Sequence, residues 1–273
     1  MLTSDAPLHV KPRLDPGLFQ WFIRFALKCG QKDVLFSAQG RHALLQSSWD
    51  LYPHIVEREG LDCDWEVGGS LHAHCSEAEW HAYAGEDAAI RKFGVAAEKL
   101  DRDQMLRLEP SLDSGLCGGW LYRETAHLRP EKLLDGLQKV LAQKGATILE
   151  NTEVTGFDAS GGNAERVRTS GTVIAADQFV VATGAWAPRL ERELGCRIPI
   201  QPGKGYSLTY AGAERVTGIP CFFSEKSVVA TPWADGFRLG GTMECAGFDD
   251  SLDGRRLAAL SRGALQYLKN PSL

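Results

Sequence analysis

No apolar run in this 273-residue chain approaches the roughly 20 residues that a membrane-spanning helix requires, so no such helix is expected. The opening Met1-Leu2-Thr3-Ser4-Asp5 lacks the basic-then-apolar order of a signal peptide, and the cytosol is the expected compartment. Excess positive charge is missing as well: the net charge is −5, which gives no electrostatic reason to expect a nucleic-acid partner. The seven cysteines are odd in number and widely scattered, with no C-x-x-C pair. Reduced thiols, mostly buried, are expected instead of a disulfide framework or a zinc site. G-x-S-x-G, H-E-x-x-H and G-x-x-x-x-G-K-[ST] are all absent, which removes local support for hydrolase, metalloprotease and P-loop chemistry. The glycine-rich dinucleotide fingerprint is absent too. The sole G-x-G is Gly203-Lys204-Gly205, it follows Pro202, and Leu208 stands where a third glycine belongs. There is no internal repeat or low-complexity tract.

What is present is a chain 44% apolar and 24% charged, long enough for a substantial core in two connected lobes. Asp15 and Pro16 are placed as N-cap and N1 of a helix with Leu18, Phe19, Phe22, Phe25 and Ala26 at helical spacing. A second helical run from about Gln39 to Glu59 ends at Gly60, giving a helical hairpin. Trp65 to His74 alternates like a strand with a glycine interruption, Ser76 to Phe93 returns to helix, and Leu116 to Leu128 is strand-like. Pro130 opens a helix through Leu141, followed by short strands at Ala146–Glu150, Thr152–Phe157 and around Arg166 and Val173. Strands are then expected at Tyr206–Tyr210, Cys221–Phe223, Val228–Thr231 and Phe237–Gly240, joined as an antiparallel sheet, before a last helix beginning at Asp253 or Gly254.

The most telling stretch is Phe179-Val180-Val181-Ala182-Thr183-Gly184-Ala185-Trp186-Ala187-Pro188, an apolar strand running into a Thr-Gly turn and a helix from Ala185 to Leu194. Such a turn offers backbone N–H groups at the carboxyl edge of a sheet, and Gly184 lets a ligand approach the backbone closely. Taken alone, it is equally a plain strand-to-helix connection. His72-Ala73-His74-Cys75 puts two imidazoles on one strand face, but no third or fourth ligand lies at short spacing. These histidines are expected to be surface or hydrogen-bonded residues, not metal ligands.

Several segments in order widen the reading. Gly145 to Phe157, Gln178 to Pro188, Ile198 to Thr209, the opening Lys11-Pro12-Arg13-Leu14-Asp15 with Trp21 to Phe25, and Leu239-Gly240-Gly241-Thr242-Met243-Glu244-Cys245-Ala246-Gly247-Phe248-Asp249 together resemble D-amino-acid dehydrogenases. These belong to the FAD-dependent amine oxidoreductases that include D-amino-acid oxidase and glycine oxidase. The resemblance spans almost the whole chain.

It implies an α/β, or α+β, fold: an incomplete doubly wound FAD-binding domain plus a mixed, largely antiparallel substrate-domain sheet with flanking helices. Residues 1–130 would be mainly substrate domain, 131–195 part of the FAD-binding domain, and 196–273 the substrate-domain sheet with its terminal helix. The resemblance puts Val154 against the adenine through its backbone and the turn Ala182, Thr183, Gly184, Ala185 and Trp186 beside the FAD diphosphate and ribitol. His127, Lys204, Tyr206, Thr242 and Glu244 become candidates for the substrate side. For His127 a capping or surface role is the alternative, for Tyr206 an amphipathic sheet position with a wet hydroxyl, and for Lys204 a solvated surface charge.

The implied chemistry is oxidative deamination of a D-amino acid to a 2-oxo acid and ammonia, with the cofactor taking the hydride and the protein orienting the Cα–H. The sequence departs from the family at the opening G-x-G-x-x-G unit and at the glycine-rich closing segment with its carboxylate-binding arginine, neither of which is found. The chain therefore reads as a fragment, as one part of a split flavoenzyme completed by another polypeptide, or as a binding module without catalysis. The resemblance also extends to relatives that attach peripherally to the inner face of the membrane.

Overall fold

The computed structural model describes residues 8–11 and 14–269. Pro12 and Arg13 of the opening motif and Asn270 to Leu273 lie outside the described residues. After strand β1 (Leu8–Val10), helix α1 (Pro16–Leu27) starts where the Asp15 carboxylate accepts the Leu18 N–H at 3.0 Å, the capping role expected of an Asp-Pro pair. Helix α2 (Gln31–Glu59) begins eight residues earlier than the periodicity from Gln39 suggests, and it ends at Gly60 in the left-handed conformation. Its whole length has no buried residue, and Val34, Phe36, Leu44 and Leu45 are exposed.

The chain then alternates through β2 (Glu66–Val67), β3 (Ser70–His74), α3 (Glu77–Arg91), β4 (Glu98–Asp101), α4 (Arg102–Leu108), β5 (Gly118–Tyr122), β6 (Ala126–His127) and α5 (Pro130–Gln143). A separate antiparallel sheet follows in β7 (Val154–Ser160), β8 (Asn163–Thr169) and β9 (Val173–Ala175). After a 3-10 helix at Gly184–Leu190 and α6 (Glu191–Leu194) come β10 (Lys204–Ala211), β11 (Cys221–Phe223), β12 (Val228–Trp233), β13 (Gly236–Cys245) and α7 (Gly254–Ala264), the last capped by Asp253.

One eight-stranded sheet, ordered β1-β13-β12-β11-β3-β5-β4 with β10 also on β13, joins elements from both ends of the chain. Its pairings are antiparallel except β1 with β13 and β11 with β3, so the sheet is mixed and largely antiparallel as expected. Strand alternation sends Leu71, Phe223, Ala230 and Leu239 to one face, where Leu260 of α7 and the following Tyr267 join them in the main core. Each such large apolar side chain contributes about 1.5–3 kcal/mol on burial. Across the chain, Arg129 pairs with Asp235, and Arg238 pairs with Glu131 at the start of α5. The two guanidinium groups lie over the Trp233 ring at 5.0 and 4.6 Å, tying the start of α5 to the end of β12.

Two expected strands do not form. Residues 146–150 and 178–183 have no strand structure, and Val180 is 91% exposed. A β-branched apolar run becomes a strand only when a neighbour completes its hydrogen-bond ladder, and no described strand pairs with either segment. The expected helix from Ala185 to Leu194 is mostly 3-10, with only its final turn α-helical. Three of the seven cysteines are buried, Cys63, Cys221 and Cys245, fewer than expected; Cys117 is half-buried, and Cys29, Cys75 and Cys196 are exposed.

Candidate functional site

The Thr183–Gly184 turn is open. Gly184 adopts φ +52°, and a β-carbon built there would meet no heavy atom within 4 Å. The Trp186 N–H donates to the Thr183 carbonyl at 3.0 Å, which folds the chain into the 3-10 helix and leaves Ala182 and Thr183 exposed. Glycine is the residue that adopts a left-handed φ without steric cost, so the turn is both permitted and kept bare at this position. Val154 opens β7 opposite Thr169 and is solvent-accessible. The Val154 backbone and the turn are both accessible, which leaves their polar backbone groups available to a ligand. The described residues supply no glycine-rich loop to grip its phosphates.

On the sheet, Lys204, Tyr206, Thr242 and Glu244 come together. Tyr206 donates its hydroxyl proton to Glu244 Oε2 at 2.5 Å, and Lys204 Nζ lies 3.3 Å from the same oxygen. Burial by itself would raise the Glu244 pKa, but the hydrogen bonds from Tyr206 and Lys204 outweigh it and hold the carboxyl below its usual range. Burial similarly works against the Lys204 charge, and bonding to Tyr206 and Glu244 reverses that, keeping the ammonium protonated. Tyr206 is thus a buried core residue with a partnered hydroxyl, and Lys204 is a largely enclosed charge.

Thr242 sits at a β-bulge: Gly205 pairs with Met243 and Tyr206 with Gly241, which leaves Thr242 as the extra residue. Its φ of +48° is rare for a β-branched side chain. The buried Arg256 of α7 holds it there, with Nη2 donating to Thr242 Oγ1 and, at 3.1 Å, to the Met243 carbonyl. Arg256 is not among the residues that the sequence motifs mark. Its signal was the α7 stripe Arg256, Leu260 and Ala264, spaced four apart on the buried face.

His127 lies apart from this group. Its Nε2–H donates to the Pro232 carbonyl at 3.2 Å, and Glu66 Oε2 is 4.0 Å away. Burial lowers its pKa, only partly offset by Glu66. Pro232 pairs with Phe237, seven residues along β13 from Glu244, a separation of about 24 Å at strand rise. His72 and His74 share a sheet face as expected, but they are packed inside: His72 Nδ1 is 3.2 Å from the Tyr83 hydroxyl, its ring stacks on Phe222 at 4.4 Å, and His74 is buried. Among the described residues, no group of three or more His, Cys, Asp and Glu side chains is placed to hold a metal, and no helix is long and apolar enough to cross a membrane.

The fold has clear counterparts. Glycine oxidase from Bacillus cereus ATCC 14579 superposes with a TM-score of 0.71 at 21% identity, covering 88% of this chain and 64% of that one. Glycine oxidase from Geobacillus kaustophilus gives 0.72 at 22% identity with the same coverage. The chain thus shares the fold of these two structures. The profile of the FAD dependent oxidoreductase family, DAO, matches residues 21–273, and the chain belongs to this FAD-dependent family. D-amino acid dehydrogenase of Sinorhizobium medicae (strain WSM419) is 28% identical over 270 residues, 97% of this chain and 65% of that protein. The D-amino acid dehydrogenase of Methylobacterium nodulans is 31% identical over 273 residues, 96% of this chain and 64% of that protein. The chain accordingly spans a little under two thirds of the length of these curated relatives.

Proposed function

We propose that this chain supplies the substrate-domain sheet and one FAD-contact turn of an enzyme that oxidatively deaminates D-amino acids to 2-oxo acids and ammonia. The observation behind this reading is the open Gly184 turn in a chain aligned over 97% of its length with a D-amino acid dehydrogenase. FAD, when bound, supplies the hydride acceptor. The backbone of Val154 and of Ala182 to Trp186 would hold one edge of it. The sheet, stiffened by the Tyr206–Glu244–Lys204 network and by Arg256 behind the Thr242 bulge, would orient the amino acid and keep water from its Cα–H. Phosphate grip and carboxylate clamp would come from the segments that the longer relatives carry beyond the shared region.

A split arrangement would put those segments on a second polypeptide. Phe19, Phe25 and Leu27 of α1 and Phe36, Leu44 and Leu45 of α2 are all exposed, apolar surface that a covering segment, on the same polypeptide or on another, would bury.

The test compares the chain alone with a fusion that restores the opening and closing segments of the Sinorhizobium medicae relative. FAD is titrated by quenching of its fluorescence, and a panel of D- and L-amino acids is added without oxygen. The fusion is expected to retain FAD and lose its yellow band only with D-amino acids, releasing the 2-oxo acid. A fusion that holds FAD but ignores D-amino acids defeats the substrate reading. A folded fusion that holds none defeats the cofactor reading.

A further inference from the structure

The network around Lys204 extends beyond the sheet. Lys204 Nζ donates to the Asp249 carbonyl at 3.1 Å and to the Ser251 carbonyl at 2.5 Å, two points on the loop between β13 and α7. The same loop is tied at its end by the Asp253 N–H to the Tyr206 hydroxyl at 3.4 Å, and at its middle by Lys11 to the Asp249 carboxylate. Three backbone groups and one side chain are thus fixed within five residues. The residue just before this tether is Phe248. The Arg189 guanidinium stands 4.0 Å over its ring, and the Trp186 ring lies 6.3 Å from it at a 35° tilt. Arg189 and Trp186 both belong to the 3-10 helix that starts at Gly184. Within that helix Ala187 is buried, while Trp186 is exposed, and the residues leading into the turn, Val180 and Val181 among them, are exposed and form no strand.

We propose that Lys204 is a positioning residue which, by clamping residues 249–251, seats Phe248 against Arg189 and Trp186 and so sets the Thr183–Gly184 turn relative to the substrate sheet. The consequence for catalysis rests on the reading of that turn as an FAD contact. The mechanical coupling does not, and it is measurable without flavin. A half-buried ammonium suits this task because it offers three donors around one point, and the bonds to Tyr206 and Glu244 favour its charged form. Phe248 suits the other end because its face attracts the Arg189 cation while its ring also packs on Trp186.

The test uses the full chain with its seven tryptophans replaced by 5-fluorotryptophan, read by fluorine NMR, with the Trp186 resonance assigned from Trp186→Phe. Phe248→Ala and Lys204→Met are each expected to move the Trp186 resonance in the same direction. Amide exchange across residues 184–190 should quicken by about five- to tenfold in both variants, from loss of one exposed cation–π and one aromatic contact. Lys204→Arg, which keeps the charge and several donors, should restore both readouts towards wild type, which mere space-filling at this position would not do. A Lys204→Met protein whose loop 249–251 exchanges faster while Trp186 and residues 184–190 stay unchanged overturns the proposal. If Lys204→Met does not fold, Phe248→Ala decides, since Phe248 is exposed and its removal leaves the core intact; an unmoved Trp186 resonance there overturns it equally.

Discussion

Glu109 is the sharpest test of how the sheet is held. It follows α4 and is 3% exposed, yet its carboxylate is fully occupied. Oε1 accepts the Ser111 hydroxyl at 2.6 Å, and Oε2 accepts the Gly218 N–H at 2.6 Å and the Ile219 N–H at 3.3 Å. The latter two bonds cross 109 and 110 residues of sequence and fix the loop that delivers β11 to the middle of the sheet. Hydrogen bonds to a charged acceptor contribute about 1.5–3 kcal/mol each, and an orphaned buried donor costs about 1–3 kcal/mol. Because the bonds share one acceptor they do not add, so Glu109→Ala is expected to lose about 3–5 kcal/mol, a large share of a typical domain's stability. Glu109→Gln keeps an oxygen for Gly218 and Ile219, and the Ser111 hydroxyl can turn to accept from the new amide. It should lose only about 1–2 kcal/mol. Urea unfolding followed by tryptophan fluorescence gives both values. Equal losses for Ala and Gln, or an Ala variant within about 0.5 kcal/mol of wild type, would refute the assignment of these bonds as the lock.

Three further outcomes follow. His72, held to about pKa 4 by burial and then by the nearby His74, is neutral in the fold but protonates near 6.5 when unfolded, so the unfolded state takes up more protons between those values. Stability contributed above pH 6.5 is therefore lost as pH falls towards 4, by about 3 kcal/mol, and His72→Phe should flatten urea-midpoint curves measured across that window. Gly236 has φ +149° and a β-carbon there would sit 2.1 Å from the Tyr210 carbonyl oxygen, so Gly236→Ala should destabilise by about 3 kcal/mol or more, whereas Gly240→Ala, with open space at its β-position, should stay within about 1 kcal/mol in the same unfolding assay. Gly184→Val, which places a branched side chain on the open turn and strains its left-handed φ by about 1–2 kcal/mol, should lower the thermal midpoint by a few degrees and weaken FAD retention by the folded fusion at least about tenfold; unchanged FAD affinity would move the cofactor contact elsewhere.

How far the sequence announced this molecule depends on where each feature's partner lies. The α1 start was legible because Asp15 caps a donor three residues away, and so was the α7 start at Asp253. The strands of β10 to β13 were legible because antiparallel neighbours close in sequence carry matching alternation and turn residues. Arg256 was not. Its acceptor sits on a bulge 14 residues upstream, and nothing in the local pattern of either element records that the two meet. Tyr206 was placed correctly on a strand, but alternation alone does not say which face is buried. Its bond to Glu244, 38 residues on, settles that.

The Phe179–Ala182 run shows the complementary limit. Its residues carry strong β-propensity, and propensity describes the fit to a pleated, half-buried surface more than an intrinsic backbone choice. Without a neighbouring described strand to supply a ladder, the run stays irregular and Val180 faces solvent. The turn that follows keeps its form regardless, because the Gly184 left-handed φ and the Trp186-to-Thr183 bond are local. The conformation of the turn is thus written within a few residues of Thr183, whereas burial of the run before it needs a neighbouring strand that the described residues do not supply. That division explains how the turn is legible in the sequence yet open in the fold, and why its position against the sheet falls to side chains such as Phe248 and Lys204.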